Sequence, residues 1–153
     1  MKQLKCRELY CPSHFGNTYE VVLPNEMRRI CEEAKFWGFN RFSDWFDTID
    51  LYDIYNKTHS LYNMPEAMWA RKFGNYEIAA QTGLELGLVI TPNHVVANQV
   101  NTLNEAKKSE HYFGQLVCPS INGVTEMIVQ NYRNLFSDFA RRGLKLSAIS
   151  GGA

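Results

Sequence analysis

Apolar side chains recur along the chain at two spacings, and the spacing changes several times. Over residues 25–37 and 122–142 they fall three or four residues apart, which places them on one face of a helix. A third helix is predicted from Pro65 to about Thr82. The apolar stripe of the helix over residues 25–37 consists of Met27, Ile30, Cys31, Ala34 and Trp37. That of the helix over residues 122–142 consists of Ile128, Tyr132, Leu135, Phe136 and Phe139.

The segments between these helices are short and either alternating or almost wholly apolar, which predicts strands. Residues 84–91 are nearly all apolar, as is typical of a buried parallel strand. The predicted strands are residues 4–11, 39–46, 84–91, 114–118 and 144–149. We therefore predict four strand–helix units and a fifth strand, which form a parallel sheet with crossover helices in one α/β domain over residues 1–153.

Two architectures fit this order of elements. One is an open doubly wound sheet of five strands, and the other is half of a (β/α)8 barrel of the TIM type. The turn after the first strand, residues 12–17, contains neither a GxGxxG nor a GxxxxGK[ST] motif, so the usual nucleotide-binding signature is absent. The loops that follow the strands are long and aromatic, whereas the turns that follow the helices are short and end in glycine. This asymmetry favours the half barrel.

Charge and composition exclude several classes of protein. The 16 Lys and Arg residues balance the 16 Asp and Glu residues. A neutral chain lacks the basic surplus that nucleic acids and anionic membranes require, so neither is an expected partner. The chain has no apolar run of about 18 residues and no apolar signal segment near Met1. We therefore expect a cytoplasmic location, with the four scattered cysteines reduced and mostly buried.

Ligands of such folds bind at the carboxyl ends of the strands, so the residues there are candidates for chemistry. Asp47 follows the second strand and is the best-placed carboxylate of the group Asp44, Asp47, Asp50 and Asp53. The other candidates for ligand contact are His14, Asn17, Trp45, Asn93, His94 and Cys118. A metal site from the two histidines and Asp47, or a nucleophilic Cys118, would be alternatives. The spacing matches no known ligand pattern, so we predict no metal and no cofactor.

Four blocks of sequence resemble a known group when they are read together. They are RELY at 7–10 with SHFGN at 13–17, WGFN at 37–40 leading to DWFD at 44–47, GL at 87–88 with TPN at 91–93, and LVCPS at 116–120. In this order they resemble the N-terminal half of a glycoside-hydrolase-like (β/α)8 barrel, related in layout to the α-glucuronidase and β-hexosaminidase barrels. The resemblance covers residues 7 to 149.

The resemblance implies a carbohydrate-active barrel segment whose strand ends face a sugar. It implies that Trp45 and Asp47 form the rim of the sugar pocket after the second strand and that His14, Asn17, Asn93 and Cys118 line the pocket. Asp47 is our candidate for the catalytic residue. One departure weakens the enzyme interpretation, because neither residues 118–120 nor residues 150–153 supply the carboxylate that such barrels carry after later strands. Two alternatives therefore stay open: a glycan-binding or small-ligand module without catalysis, and a half barrel that pairs with a second copy or with the other half.

Overall fold

The computed structural model describes residues 4–11, 21–45, 66–92, 109–111, 114–116 and 118–151. Each of the three predicted helices lies within two residues of its predicted ends, and the α/β class is confirmed. Along the chain the elements are β1 (Glu8–Tyr10), α1 (Pro24–Phe36), β2 (Arg41–Trp45), α2 (Glu66–Gln81), β3 (Glu85–Ile90), β4 (Ser109–His111), β5 (Gly114–Leu116), α3 (Val124–Arg141) and β6 (Leu146–Gly151).

Four of the strands form one parallel sheet in the order β1-β2-β3-β6. Each crossover therefore moves the chain one strand further in the same direction, whereas a doubly wound sheet reverses direction. Because such crossovers are right-handed, the helices α1, α2 and α3 belong on one face of the sheet. The order is that of part of a (β/α)8 barrel, and the four described strands form an open sheet.

The predicted fourth strand, residues 114–118, is not part of this sheet, so that prediction is wrong. Residues 114–116 do form a strand, β5, but it pairs antiparallel with β4. The physical reason is that β3 already pairs with β2 on one side and with β6 on the other. The described residues thus contain three strand–helix units and a fourth parallel strand, where four units and a fifth strand were predicted.

The hydrophobic core lies between the sheet and the helices. Phe42 of β2 packs edge-on against Tyr76 of α2 at 5.2 Å between ring centroids, and Tyr76 meets Phe139 of α3 at 5.0 Å. All three rings are buried, and burial of one large apolar side chain stabilises a fold by about 1.5–3 kcal/mol. Other buried members of this core include Met27, Cys31, Trp69, Phe73, Leu86, Leu88 and Leu135.

The apolar stripe of α1 is confirmed at three of its five positions, and Ile30 is only partly buried. Met27, Cys31 and Ala34 are buried, whereas Trp37 is 69% exposed. The helix ends one residue before Trp37, so the helical spacing that predicted burial no longer applies there. Gly38 then adopts a φ of 85°, in the left-handed region that glycine favours, and turns the chain toward β2.

The stripe of α3 is confirmed along its whole length. Tyr132, Leu135 and Phe139 are buried, and Ile128 and Phe136 pack against the core while partly exposed. The helix begins after Gly123 and has 18 residues with charged and polar side chains on its outer face. Within the described part of the chain, no helix is both long and apolar enough to span a bilayer.

The face of the sheet that is turned away from the helices carries charge near the amino ends of the strands. Arg41 of β2 lies between Glu8 of β1 and Glu85 of β3, its register partners on the two neighbouring strands. Its guanidinium nitrogens are 3.5 Å from a Glu8 carboxylate oxygen and 3.2 Å from one of Glu85. Two positions further along, a Cβ at Gly87 would overlap the Ser43 hydroxyl oxygen, so the strands approach closely there.

Candidate functional site

The carboxyl edge of the parallel sheet brings the ends of β1, β2, β3 and β6 together. Tyr10, Trp45 and Ile90 are the last residues of the first three of these strands. Buried polar side chains gather beside this edge, among them Asp44, Lys72 and Thr91. Because buried polar groups are costly unless they are paired, such a cluster marks the candidate site within the described residues.

The hydroxyl of Tyr76 connects α2 to two strands behind this edge. It donates to the Gly87 carbonyl oxygen at 2.8 Å and accepts the Asp44 backbone N–H at 3.0 Å. The side chain is fully buried. Burial and the nearby Asp44 carboxylate raise the pKa of Tyr76 well above 10.0, so the hydroxyl keeps its proton.

Asp44 supplies the buried carboxylate of the site. Its Oδ1 accepts the backbone N–H of Trp45 at 2.7 Å. Its charge also acts beyond this contact, because it contributes to the raised pKa of both Tyr10 and Tyr76. A carboxylate held in this way provides a fixed negative charge beside two phenol groups.

Tyr10 is the accessible member of the group. Its side chain is 43% exposed at the end of β1. Partial burial, together with the Asp44 and Glu8 carboxylates, raises the pKa of Tyr10 above 10.0. The phenol therefore stays neutral at physiological pH and is able to donate a hydrogen bond to a ligand at this edge.

Trp45 is held at the end of β2 by contacts from two elements. Its indole Nε1 donates to the Thr91 hydroxyl oxygen at 2.9 Å, just after β3. The Lys72 ammonium of α2 donates to the Trp45 carbonyl oxygen at 2.5 Å, although the Lys72 residue is only 2% exposed. These contacts place an aromatic ring, partly exposed, beside the polar cluster in a fixed position.

Of the seven residues predicted from the sequence, the structure describes two. Trp45 lies at the carboxyl edge as expected for its strand. Cys118 is exposed in the segment before α3, and its carbonyl oxygen accepts the Ile121 N–H at 3.1 Å. No hydrogen bond joins Cys118 to the edge cluster among the described residues. The other five, His14, Asn17, Asp47, Asn93 and His94, lie outside the described residues.

The cysteines are free thiols, and the expectation that most are buried holds for half of them. Cys11 and Cys31 are buried, whereas Cys6 and Cys118 are exposed. In the described ranges, no three His, Cys, Asp or Glu side chains converge in the way that metal ligands do.

Sequence reasoning missed the contribution of α2 to the site. Trp69, Phe73 and Tyr76 occupy the buried face of that helix at helical spacing, and Lys72 falls on the same face. A lysine inside an apolar stripe is the signal that was available, because lysine is almost never fully buried without a partner. Tyr10 and Asp44 were noticed in the sequence but were not selected as site residues.

Comparison with known proteins supports the fold. No family model matches the chain, and no curated protein matches it. Among solved structures, the chain is similar to the GH36 alpha-galactosidase AgaA from Geobacillus stearothermophilus in complex with 1-deoxygalactonojirimycin, with a TM-score of 0.59 and 13% sequence identity. The match covers 95% of this chain and 21% of that enzyme, so the chain spans about a fifth of its length. At this identity the similarity shows a likeness of fold to part of that enzyme and nothing more.

Proposed function

We propose that this chain is a segment of a glycoside-hydrolase-like barrel and that the carboxyl edge of its sheet binds a sugar. The observation that carries the proposal is the exposed Tyr10 phenol beside the buried Asp44 carboxylate and the Trp45 ring, at the edge where such folds bind ligands. We propose a galactose-like ligand, because the similar enzyme is described as an alpha-galactosidase in complex with an iminosugar.

The chemistry of these groups suits a carbohydrate. Sugar hydroxyls need both donors and acceptors, and the exposed phenol of Tyr10 can serve as either. The faces of a pyranose ring are rich in C–H groups, which pack on aromatic rings such as that of Trp45. Asp47 as the catalytic carboxylate, and His14, Asn17, Asn93, His94 and Cys118 as further sugar contacts, are part of this proposal.

Calorimetric titration with 1-deoxygalactonojirimycin, and with galactose and glucose, tests the proposal. We expect binding in the range of about 1 mM or tighter for the galactose-like compounds. Trp45→Ala should abolish it, whereas Trp37→Ala, which removes an exposed ring beyond the end of α1, should leave it unchanged. A thermal melt of each variant confirms that it is folded. Absence of binding by the folded wild type at about 10 mM sugar would overturn the proposal.

A hydrolysis assay separates an enzyme from a binding module. If the chain cleaves a chromogenic α-galactoside, Asp47→Asn should remove the activity and leave binding of the iminosugar within about threefold. Sugar binding without cleavage favours the glycan-binding module.

Pairing with a partner chain is a second candidate, favoured by the exposure of β6. Ile149 in this strand is 53% exposed, and within the described residues β6 pairs only with β3. An exposed edge strand is a ready template for further pairing. Light scattering decides this candidate, because a second copy that completes the sheet predicts a dimer, and a monomer contradicts it.

A further inference from the structure

A cleft of about 630 Å³ lies between α1 and α2. Its described lining residues belong to these two helices and to Val22, which precedes α1, and none of them belongs to a strand. The cleft is therefore separate from the carboxyl edge of the sheet. Its volume is within the range of about 300–1,000 Å³ that small-molecule sites occupy.

The described lining of the cleft carries one guanidinium, that of Arg28, whose charge no described carboxylate neutralises. The Arg28 guanidinium donates to the Gln81 side-chain oxygen at 2.8 Å, and no carboxylate of the described residues pairs with it. Arg71 also lines the cleft. The lining carboxylate, Glu77, is 3.0 Å from the guanidinium of Arg142, which neutralises its charge. The cleft therefore attracts an anion.

A buried amide also reaches the cleft. Asn75 is 4% exposed, and its side chain makes no hydrogen bond to any residue of the described ranges. The amide atoms of Asn75 are not among the described side-chain atoms that are both fully buried and without a partner, so they open to the cleft. A polar group of a ligand in the cleft would supply the partner.

Gly74 keeps the cleft open. It lies in the interior of α2, where glycine is unfavourable relative to alanine. A Cβ at this position would meet no atom within 4 Å, so no packing contact requires a glycine here. The absence of a side chain instead leaves room between Arg28 and Asn75, which line the same cleft.

We propose that this cleft binds a phosphate monoester of a small polar molecule. A guanidinium recognises phosphate through paired, charge-assisted hydrogen bonds, which fits Arg28. The cleft exceeds what inorganic phosphate alone needs, and Asn75 suits a hydroxyl on the esterified part. This inference does not depend on sugar binding at the carboxyl edge.

Nuclear magnetic resonance titration with glycerol phosphate, inorganic phosphate and neutral glycerol tests the proposal. Amide signals of α1 and α2 should shift with glycerol phosphate, with a dissociation constant of about 1 mM, more weakly with phosphate, and not with glycerol. Arg28→Met should weaken binding about tenfold. Arg29→Met, which removes an exposed charge next to Arg28 but outside the cleft, is the matched control and should change binding by less than about twofold.

Two further variants distinguish a ligand site from a structural feature. Gly74→Leu should fill the cleft and abolish the shifts while the helix stays folded. Asn75→Leu should weaken binding without lowering the melting temperature, because the amide makes no hydrogen bond in the described chain that its removal would break. No shift at about 10 mM glycerol phosphate, equal shifts with glycerol, or equal losses in Arg28→Met and Arg29→Met would each overturn the proposal.

Discussion

The Tyr76 hydroxyl is the contact whose removal tests the interpretation of the carboxyl edge most directly. Tyr76→Phe deletes a hydroxyl that lies 2.8 Å from the Gly87 carbonyl oxygen, and 3.0 and 3.1 Å from the Asp44 nitrogen and carbonyl oxygen. Each net hydrogen bond is worth about 0.5–1.5 kcal/mol, and a buried donor left unpaired costs more. We expect the free energy of unfolding to fall by about 2 kcal/mol, and the melting temperature by about 4–8 °C.

Tyr10→Phe is the control, because it deletes the same group from a side chain that is 43% exposed. We expect that variant to lose less than about 0.5 kcal/mol, since water solvates the edge of Tyr10 in both states. Urea denaturation of both variants, with the slope of the transition checked against the wild type, measures the difference. Equal losses, or a Tyr76→Phe variant as stable as the wild type, would refute the assignment of Tyr76 as the link between α2 and the sheet.

Three further predictions follow from individual contacts. Gly87→Ala should lower the free energy of unfolding by about 1–3 kcal/mol, because the added methyl overlaps Ser43. Gly74→Ala should raise it by about 1 kcal/mol, because the added methyl meets no atom and alanine favours the helix. Urea denaturation in which both variants change stability in the same direction would contradict this. Arg41→Met should cost about 1 kcal/mol in low salt and less in high salt, measured by thermal melts. Burial raises the pKa of Cys31 from 9.0 to about 11, so the folded thiol keeps its proton while the unfolded thiol ionises. Stability should therefore fall between these two pH values in the wild type, and less in Cys31→Ala.

The sequence pattern predicted the helices well because each presents a long apolar stripe to the core. Met27, Cys31 and Ala34 in α1 repeat at helical spacing over several turns, so the signal accumulates. The apolar pattern failed at Trp37, because this residue lies one position beyond the end of the helix and its side chain no longer follows the helical spacing. Helix ends depend on local turns such as that at Gly38, which the apolar period does not record.

Strand pairing was less predictable than strand existence. The short apolar run near Gly114 is a strand, but nothing local in it says whether its partner is β3 or the neighbouring β4. A strand pairs with whichever neighbouring strand still has an unpaired edge, and this depends on the whole sheet, so a short stretch of sequence does not reveal it. The site shows the same limit, because Lys72 and Tyr76 reach the carboxyl edge from a helix, about 30 residues along the chain from the strand they contact.

The row formed by Glu8, Arg41 and Glu85 affects how the strands β1, β2 and β3 are aligned with one another. The strands β1 and β3 do not pair with each other, yet each presents a carboxylate to the same guanidinium on β2. A shift of either outer strand by two residues would move its carboxylate about 7 Å along the sheet, out of reach of Arg41. One side chain thus helps to fix the relative position of two strands that do not pair with each other. It thereby also helps to align Tyr10, Trp45 and Ile90 at the carboxyl edge of the sheet.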